Sequence, residues 1–444
     1  MGMGTIKKRI SSSQIIILGF AGTILFGSIL LTLPFSTRHG HGALFLDALF
    51  TATSAVCVTG LVVQDTATYW STFGQAVIIA LIQVGGMGVV TVAVAISAFS
   101  GKQISLKQRS TMQEAISAHK VGGIVRLTGF IIKMMIIFEF LGAITMPPTF
   151  CKEFGVLKGI WYAIFHSISA FCNAGFDLMG AKTPYSSLTY FVDNPVINFT
   201  IMLLIVIGGI GFMTWDDIKV NRHHVRKYTM QSKVILLTTA LLVLLPALYF
   251  FFFEFGFKPM GERICSSLFQ SVTPRTAGFN TADLTQISET GTAVTIMLML
   301  IGGSPGSTAG GMKTTTLAVL FSTAISVFRR REHTHFFGRR VNDDAIRNAA
   351  TILMMYVILF LTGGFLSSHI ESLPLLTCLY ETAAAIGTVG LTLGITPNLG
   401  IASQIILIVL LYIGRVGGLT LIFSALSGNQ GTSARLPQEK ITVG

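Results

Sequence analysis

Charged residues are scarce in this sequence, and their scarcity argues against a water-soluble globular protein. Only 11% of the 444 residues are charged, whereas 51% are hydrophobic. Several apolar runs reach about 20 residues, the length that spans a bilayer as a helix. A soluble domain cannot bury so much apolar surface. The sequence therefore predicts an integral membrane protein, and the net charge of +12 is not interpreted as a nucleic-acid surface.

Residues that build disulfides, metal centres and catalytic groups are also few. The chain has five cysteines without a CxxC pair, which predicts neither a disulfide framework nor a zinc site. No histidine joins an acid in a metal-ligand or triad pattern on a predicted helix, and no helix carries periodic arginines. These absences argue against an enzyme and against a voltage-gated channel. Cys57 and Cys172 are interpreted as small packing residues.

Glycine, in contrast, is abundant and recurs in a pattern. Four times, a short half-apolar segment ends in a glycine that is followed by Leu or Phe. We call these segments the filter loops: Val58-Thr59-Gly60-Leu61, Asn173-Ala174-Gly175-Phe176, Thr276-Ala277-Gly278-Phe279 and Thr388-Val389-Gly390-Leu391. A longer apolar segment with a glycine kink follows each one, at Gly85, Gly208, Gly302 and Gly414. The spacings are 25, 33, 24 and 24 residues, so the pattern predicts one unit used four times.

We interpret each unit as an outer helix, a short pore helix and an inner helix. The outer helices are predicted at 14–35, 121–146, 234–253 and 349–367, the pore helices at 45–55, 161–170, 263–272 and 376–385, and the inner helices at 73–99, 196–213, 292–328 and 401–426. A ten-residue helix is about 15 Å long, so it enters the hydrocarbon core without crossing it. The predicted fold class is an all-α integral membrane protein with four tandem repeats around a pseudo-fourfold central pore.

The domain organisation follows from these units. Repeat 1 is predicted at 1–100, repeat 2 at 101–218, repeat 3 at 219–330, repeat 4 at 331–428 and a cytoplasmic tail at 429–444. Most of the 31 basic residues lie in five stretches that share one side if each unit crosses the membrane twice, and the positive-inside rule places that side and both termini in the cytoplasm. Acids such as Asp65, Asp177 and Asp283 fall on the outer side, where a negative mouth concentrates cations.

The filter loops suit the coordination of a dehydrated cation. Irregular backbone inside a membrane is tolerated only where it lines a watery path or is buried in protein. Four inward-pointing loops present rings of carbonyl oxygens that can replace a hydration shell, and glycine permits the required backbone conformations. A glycine after a short helix is also a routine C-cap, but four in phase with a second signal favour an ion site. Arg275, in the third loop, is predicted to point behind the filter and to pair with an acid or carbonyls.

The third inner segment is too long for one straight helix. Its 37 residues would extend about 55 Å, almost twice the hydrocarbon thickness, so it must break. The break is predicted at Gly302, Gly303, Ser304, Pro305, Gly306, Ser307, Thr308, Ala309, Gly310 and Gly311, beneath the filter. A flexible polar loop there is a candidate gate, and a static kink is the alternative. The intramembrane charges Lys313 and Arg415 are predicted to position it. The spacing does not match a nucleotide-binding P-loop.

The four filter loops, the segment 273–280 and the glycine-rich break ending at Lys313 resemble the superfamily of bacterial Trk and Ktr and plant HKT potassium transporters. The resemblance covers nearly the whole chain and is closest to KtrB-type membrane subunits, which begin directly at the first repeat. It implies that the four filter glycines and the carbonyls of the two preceding residues bind potassium: Val58, Thr59, Gly60, Asn173, Ala174, Gly175, Thr276, Ala277, Gly278, Thr388, Val389 and Gly390. Sodium-selective HKT relatives have serine in place of the first glycine, so Gly60 favours potassium.

The resemblance also implies partners and a gating mechanism. Such proteins are homodimers in a bacterial cytoplasmic membrane, each protomer with its own pore, and work with a KtrA-like cytosolic ring of RCK/KTN type that binds the nucleotide. No nucleotide is expected on this chain, and Ktr-type uptake is often sodium-dependent. The intramembrane loop 302–313 would be the gate, and Arg415 would match an arginine that holds it closed. The basic segments 102–120 and 219–233 would face the ring or carry ordinary positive-inside charge.

A sodium-conducting protein or another monovalent-cation secondary transporter is the main alternative. Broken helices near the middle of the membrane are typical of secondary transporters with a closed central site. Those folds usually contain inverted repeats, whereas the four units predicted here share one orientation. A potassium-selective pore therefore fits the pattern better.

Overall fold

The computed structural model describes residues 11–99, 105–115, 123–418 and 420. The predicted tail at 429–444, the basic residues at the start of the chain and the end of the fourth inner segment lie outside the described residues, as do residues 102–104 and 116–120 of the basic segment 102–120.

The described chain is mostly helical. In chain order the helices are α1 (Ser12–Leu31), α2 (Phe45–Val56), α3 (Thr72–Met87), α4 (Val89–Phe99), α5 (Leu106–Ala115), α6 (Ile124–Thr145), α7 (Pro147–Phe154), α8 (Val156–Phe171), α9 (Pro195–Gly209), α10 (Phe212–Asn221), α11 (Met230–Tyr249), α12 (Met260–Val272), α13 (Glu289–Leu300), α14 (Thr314–Phe328), α15 (Asp343–Glu371), α16 (Leu375–Ile386) and α17 (Ile401–Val416). A two-stranded hairpin, β1 (His335–Phe336) and β2 (Arg339–Arg340), connects α14 to α15. This architecture confirms the prediction of an all-α membrane fold.

Four long apolar helices, α1, α6, α11 and α15, have the length and composition to cross a membrane. Only 28 to 33% of their apolar stretches is buried within the protein, so most of each surface is available to lipid. Polar side chains cap the start of α1 and of α15. Ser11 and Gln14 form a capping box at α1, and the side chain of Asn342 caps α15. The caps satisfy backbone N–H groups that would otherwise lack a partner at the membrane boundary.

Four short buried helices, α2, α8, α12 and α16, end at the four filter loops. Each carries an aromatic side chain that is almost fully buried, namely Phe50, Phe165, Phe269 or Tyr380. Three of these helices are 12 or 13 residues long. The second is 16 residues long and begins at Val156, earlier than the predicted start at 161. The reason is Gly155, whose φ of 81° ends α7 and allows α8 to start immediately in a new direction.

The inner segments 73–99 and 196–213 bend sharply at the glycine kinks that the sequence pattern predicted. The axes of α3 and α4 differ by 92°, and those of α9 and α10 by 94°. The bends lie at Gly88 and Gly211, whose φ angles of 84° and 92° strongly disfavour residues with a side chain. Gly417 has the same conformation at the end of α17. In the third unit a loop, residues 301–313, replaces the bend between α13 and α14, as the length of that segment predicted.

In three units the first glycine of the kink is required by close packing and not by a positive φ. A Cβ atom on Gly85 would collide with the carbonyl oxygen of Val56, the last residue of α2. Gly208 meets Phe171 at the end of α8 in the same way, and Gly414 meets Ile386 at the end of α16. In these three units the second repeated signal marks the contact between an inner helix and the end of its own pore helix, whereas Gly302 in the third unit packs against Gly310 within its loop.

Contacts between the units close a ring. The pore helix α2 packs against α17, α8 against α3, α12 against α9, and α16 against α13. Each pore helix thus contacts the inner helix of the preceding unit, and the first contacts that of the last. This cyclic packing brings the four filter loops to one axis.

Candidate ion-binding site and intramembrane loop

The four filter loops have the same unusual backbone. The residue two positions before each glycine is in the left-handed region, with φ of 57° at Val58, 59° at Asn173, 63° at Thr276 and 51° at Thr388. The glycines follow with φ of 90°, 70°, 78° and 89° at Gly60, Gly175, Gly278 and Gly390. A left-handed residue other than glycine is uncommon, and strain of this kind is retained where the surrounding structure imposes it. Its recurrence at one position indicates that the loops are equivalent by conformation as well as by sequence.

Backbone hydrogen bonds connect each filter loop to the end of its pore helix. The N–H groups of Thr59, Ala174 and Val389 donate to carbonyl oxygens five residues earlier, at 2.9, 2.7 and 2.7 Å. In the third loop the N–H of Ala277 donates to the carbonyl of Thr273, four residues earlier, at 3.0 Å. This turn is one residue shorter, which explains why Phe269 stands nine residues before its glycine whereas the other three aromatics stand ten before theirs.

The filter glycines contact one another in a cycle. A Cβ atom on Gly60 would lie 2.5 Å from the carbonyl oxygen of Ala174, and one on Gly175 would lie 2.7 Å from that of Ala277. In the same way, a Cβ atom on Gly278 would collide with the carbonyl oxygen of Val389, and one on Gly390 would collide with that of Thr59. Each glycine therefore faces the carbonyl that precedes the glycine of the next loop. A side chain at any of the four positions would collide with this ring.

The ring is buried and uncharged. Eleven of the twelve predicted filter residues are buried, and Gly60 is partly exposed. None of these twelve residues has a charged side chain, so carbonyl and hydroxyl oxygens are the available ligands. The hydroxyl groups of Thr59, Thr276 and Thr388 have no hydrogen-bond partner among the described residues. Buried hydroxyls without a partner are unusual in proteins and mark positions where a ligand or water supplies the missing contact.

A cavity of about 480 Å³, which we call the vestibule, opens from the ring on the glycine side. All four filter glycines line it, together with Asp65, Asp177 and Asp283. Burial raises the pKa of Asp177 to about 7, against the opposing effect of a hydrogen bond from the Met179 N–H. Hydrogen bonding from the Thr285 hydroxyl lowers the pKa of Asp283. The vestibule thus combines one carboxylate that stays ionised with one that titrates near neutral pH.

The loop 301–313 lies on the opposite side of the ring and folds back on itself. The Gly302 N–H donates to the carbonyl of Met312 at 2.7 Å, and the Lys313 ammonium donates to the carbonyl of Ala309 at 2.9 Å. Residues 302–304 and 308–312 are buried, and residues 305–307 between them are partly exposed. Small residues are required here because a Cβ on Gly310 would collide with the Thr388 hydroxyl of the fourth filter loop. The loop is therefore packed directly against the filter.

Hydrogen bonds join this loop to the second unit. The Thr308 hydroxyl is 3.1 Å from both the side-chain oxygen of Asn173 and the carbonyl of Phe171, at the second filter loop. The Ser304 N–H donates to the carbonyl of Gly209 at 3.0 Å. The loop is thus held against the second filter loop and the bend below it.

Arg415 links the loop to the first and fourth units. Its guanidinium donates to the carbonyl of Thr308 at 2.5 Å and to the carbonyl of Gly85 in α3. The Gly311 N–H donates to the carbonyl of Gly414 at 3.2 Å, beside Arg415. Lys313, in contrast, bonds within its own loop. A second cavity of about 240 Å³ lies beyond the loop and is lined by Gly306, Lys313 and Arg415, so the loop separates this cavity from the filter.

Arg275 lies behind the filter, as predicted, but its partner differs from the prediction. Its guanidinium is buried and donates to the hydroxyl of Thr239 in the outer helix α11 at 3.3 Å. The predicted acid or carbonyl partner is therefore wrong. The backbone carbonyl of Arg275 accepts a hydrogen bond from the side chain of Asn173, which connects the third filter loop to the second.

One buried polar cluster was left unexplained by the sequence. Glu139 in α6 is 8% exposed, and both of its carboxylate oxygens accept from the amide of Gln83 in α3, at 3.0 and 3.1 Å. The thiol of Cys172, just before the second filter loop, lies 3.5 Å from the Gln83 oxygen. The sequence signal that could have paired Gln83 with Glu139 is that each is a polar residue within an apolar helix, α3 or α6.

Comparison with known proteins agrees with this geometry. A family model described as TrkH, cation transport protein, matches residues 19–435. The potassium/sodium uptake protein NtpJ of Enterococcus hirae is 40% identical over 99% of this chain and 98% of its own length. The Ktr system potassium uptake protein B of Bacillus subtilis is 37% identical over 98% and 97% of the two chains. A crystal structure of the potassium transporter TrkH from Vibrio parahaemolyticus superposes with a TM-score of 0.73, covering 95% of this chain and 86% of that one, at 20% identity.

The fold and the ring of loops define a multi-pass membrane protein of the cation-transport class, rather than an enzyme. The chain belongs to the TrkH family of cation transport proteins, and this membership confirms the resemblance identified from the sequence.

Proposed function

We propose that this chain takes up potassium across a bacterial cytoplasmic membrane through the ring formed by the four filter loops. The observation that carries the proposal is the cycle of contacts in which each filter glycine faces the carbonyl of the next loop. Rings of carbonyl oxygens replace the hydration shell of a monovalent cation without a fixed negative charge. The relatives described as potassium uptake proteins support potassium as the substrate.

The loop 301–313 and Arg415 form the gate in this proposal. They lie between the filter and the second cavity, and the guanidinium of Arg415 connects the loop to the first inner helix. An ion that leaves the filter meets the buried part of this loop. Conduction therefore requires the loop to move, which breaks the hydrogen bonds of Thr308 and Arg415.

We further propose that the protein works as a homodimer with a cytosolic nucleotide-binding ring of the KtrA type, both termini being cytoplasmic. The relatives described as subunits of Ktr systems support a partner of this kind. No nucleotide is needed on this chain, because a membrane potential of about 100 mV contributes about 2.3 kcal/mol per charge. At about 1.4 kcal/mol per decade, this supports roughly fifty-fold accumulation of potassium.

The test is to replace Gly60 with serine and to measure potassium and sodium uptake in a bacterial strain that lacks its own potassium uptake. Wild-type protein should restore growth at low potassium. In Gly60→Ser the potassium uptake should fall and the ratio of sodium to potassium uptake should rise. The reason is that a side chain at this φ of 90° disturbs the ring of filter carbonyls. Gly129→Ser is the matched control, since a Cβ there meets open space. Unchanged uptake and selectivity in Gly60→Ser would contradict the filter function.

A secondary transporter for sodium or another monovalent cation is the second candidate. The observation in its favour is that the loop and Arg415 close the path directly below the filter, as a closed central site would. In this case uptake of potassium by proteoliposomes should collapse when the sodium gradient is removed. In a pore it should follow the membrane potential alone.

A further inference from the structure

A polar residue follows the buried aromatic residue in every pore helix. These residues are Thr51, His166, Gln270 and Glu381, and they are between 0 and 2% exposed. They stand nine residues before the filter glycine in three units and eight before it in the third, where the loop is one residue shorter. The four positions are therefore equivalent and lie behind the filter loops, where polar side chains are costly unless they bind a partner.

Two of these side chains bind the chain just beyond the filter. Glu381 accepts a hydrogen bond from the N–H of Leu393 at 3.2 Å, and Leu393 stands three residues after Gly390. The Nε2 atom of His166 faces the N–H of Leu178 at 3.4 Å, and Leu178 stands three residues after Gly175. The Nδ1 atom of His166 lies 2.7 Å from the carbonyl of Tyr162, so Nδ1 carries the proton and Nε2 is free to accept.

Glu381 makes further contacts that the other three do not. Its carboxylate also accepts from the hydroxyl of Thr396 at 2.7 Å and from the hydroxyl of Thr392. Among the described residues, no Lys or Arg forms an ion pair with it. Three neutral donors thus hold this carboxylate, and through them it fixes the segment 392–396 that leaves the filter.

In the other three units, a hydroxyl side chain nearer to the filter supports the filter loop. In the first, the Ser54 hydroxyl accepts from the Gly60 N–H at 3.1 Å, and in the second the Ser169 hydroxyl donates to the Phe176 carbonyl at 2.7 Å. In the third, the Thr273 hydroxyl donates to the carbonyl of Phe279. The position equivalent to Ser54 in the fourth unit is Ala384, which has no hydroxyl. The fourth loop therefore depends on Glu381 for its side-chain support.

We propose that Glu381 is a positioning residue that fixes the fourth filter loop and thereby contributes to the discrimination between potassium and sodium, with His166 in a lesser function at the opposite side of the ring. The proposal rests on the proposed function of the filter. Selectivity in a carbonyl ring depends on how many oxygens face the ion and how firmly they are held. Loss of the support should let the Val389 and Gly390 carbonyls adjust to the smaller ion.

The experiment compares the uptake of potassium and sodium by Glu381→Gln and by wild type, per folded protein in the membrane. The Gln side chain keeps the shape and can still accept from Leu393, but its amide cannot accept from both threonine hydroxyls. The sodium-to-potassium uptake ratio should rise on the order of tenfold, the effect of losing hydrogen bonds to a charged group. Thr392→Val with Thr396→Val removes the same bonds from the other side and should shift the ratio in the same direction.

Glu371→Gln is the matched control. Glu371 also supports the start of a segment, through the Gly400 N–H at 3.0 Å, but it contacts no filter residue. Its uptake ratio should stay at the wild-type value, whereas a ratio shifted equally in both glutamate variants would overturn the proposal. Folded Glu381→Gln and Thr392→Val/Thr396→Val proteins with the wild-type ratio would also overturn it. If wild type itself takes up no potassium, the proposed function fails, and the positioning proposal falls with it.

Discussion

The filter and the loop beneath it are in contact, but they differ in symmetry and in the use of charged residues. The filter consists of four equivalent segments with the same left-handed residue and the same positive-φ glycine, and none of its residues is charged. Among the described residues the loop 301–313 occurs in one unit only, and Lys313 and Arg415 hold it through hydrogen bonds to its carbonyl oxygens. Symmetry suits a site that must surround a spherical ion, whereas one asymmetric element is enough to block a path. Substitutions should therefore affect selectivity in the first region and the rate of uptake in the second.

The largest effect is expected in the filter itself, for Gly390→Ala. A Cβ atom there would collide with the Thr59 carbonyl, and the φ of 89° disfavours alanine, a strain of about 1–2 kcal/mol before the collision is counted. We expect potassium uptake to fall by a factor of about 100 or more. Initial uptake in cells that lack other potassium transporters measures it. The control is Gly22→Ala, where a Cβ meets nothing within 4 Å. A similar fall in the uptake of this control would mean that the loss is not specific to the filter.

Removal of the proposed gate should raise the rate of uptake. Deletion of residues 304–311 takes away the segment that bonds to Asn173 and Arg415. Arg415→Ala removes the same link by a single substitution. Uptake should rise about tenfold in both variants, since two or more hydrogen bonds to a charged group favour the closed loop. Arg347→Ala is the control, because this arginine is exposed and pairs only with Asp344 in the described structure. If uptake does not rise, the loop is not the main barrier.

A smaller effect is expected where the two regions meet. Thr308→Val keeps the volume of the side chain and removes its hydrogen bonds to Asn173 and Phe171. The closed loop should lose about 1 kcal/mol, which corresponds to a rise in uptake of roughly fivefold without a change in selectivity. Thr351→Val, on the exposed side of α15, should leave uptake unchanged. A change in the sodium-to-potassium ratio of Thr308→Val would show instead that the loop shapes the filter.

The regular part of the molecule was predictable from sequence, and the irregular part was not. The glycine spacing predicted four units because all four filter glycines have the same contacts, and in three units the kink glycine packs against the end of a pore helix. The kink in the first inner segment was predicted, but its angle of 92° was not, because the packing of the following helix sets the direction of the chain. The Thr239 partner of Arg275 lies 36 residues away on another helix, and only the packing of α11 brings them together. Glu381 carried a sequence signal, the polar residue after each aromatic, that becomes meaningful once the loops are known to be equivalent.

The smallest effect should come from the vestibule, where we expect the carboxylates to attract the ion without contacting the filter carbonyls. Burial raises the pKa of Asp177 to about 7, so this carboxyl is largely ionised at pH 8 and largely protonated at pH 6. Asp65 faces it, with a carboxylate held by the N–H groups of Thr68 and Tyr185, and Asp283 lines the same cavity. As the external pH falls from about 8 to 6, the potassium concentration for half-maximal uptake should rise about twofold, because one attracting charge is lost.

Asp177→Asn isolates this contribution from other effects of pH. The variant should need the higher potassium concentration at every pH, so its values at pH 6 and pH 8 should agree, and its maximal uptake and its sodium-to-potassium ratio should match wild type. Asp193→Asn removes an exposed carboxylate that does not line the vestibule and should keep the pH dependence. If Asp177→Asn retained the full pH dependence, the titrating group would lie elsewhere. If its selectivity changed, the vestibule would belong to the filter, and the separation between recruiting and selecting the ion would have to be abandoned.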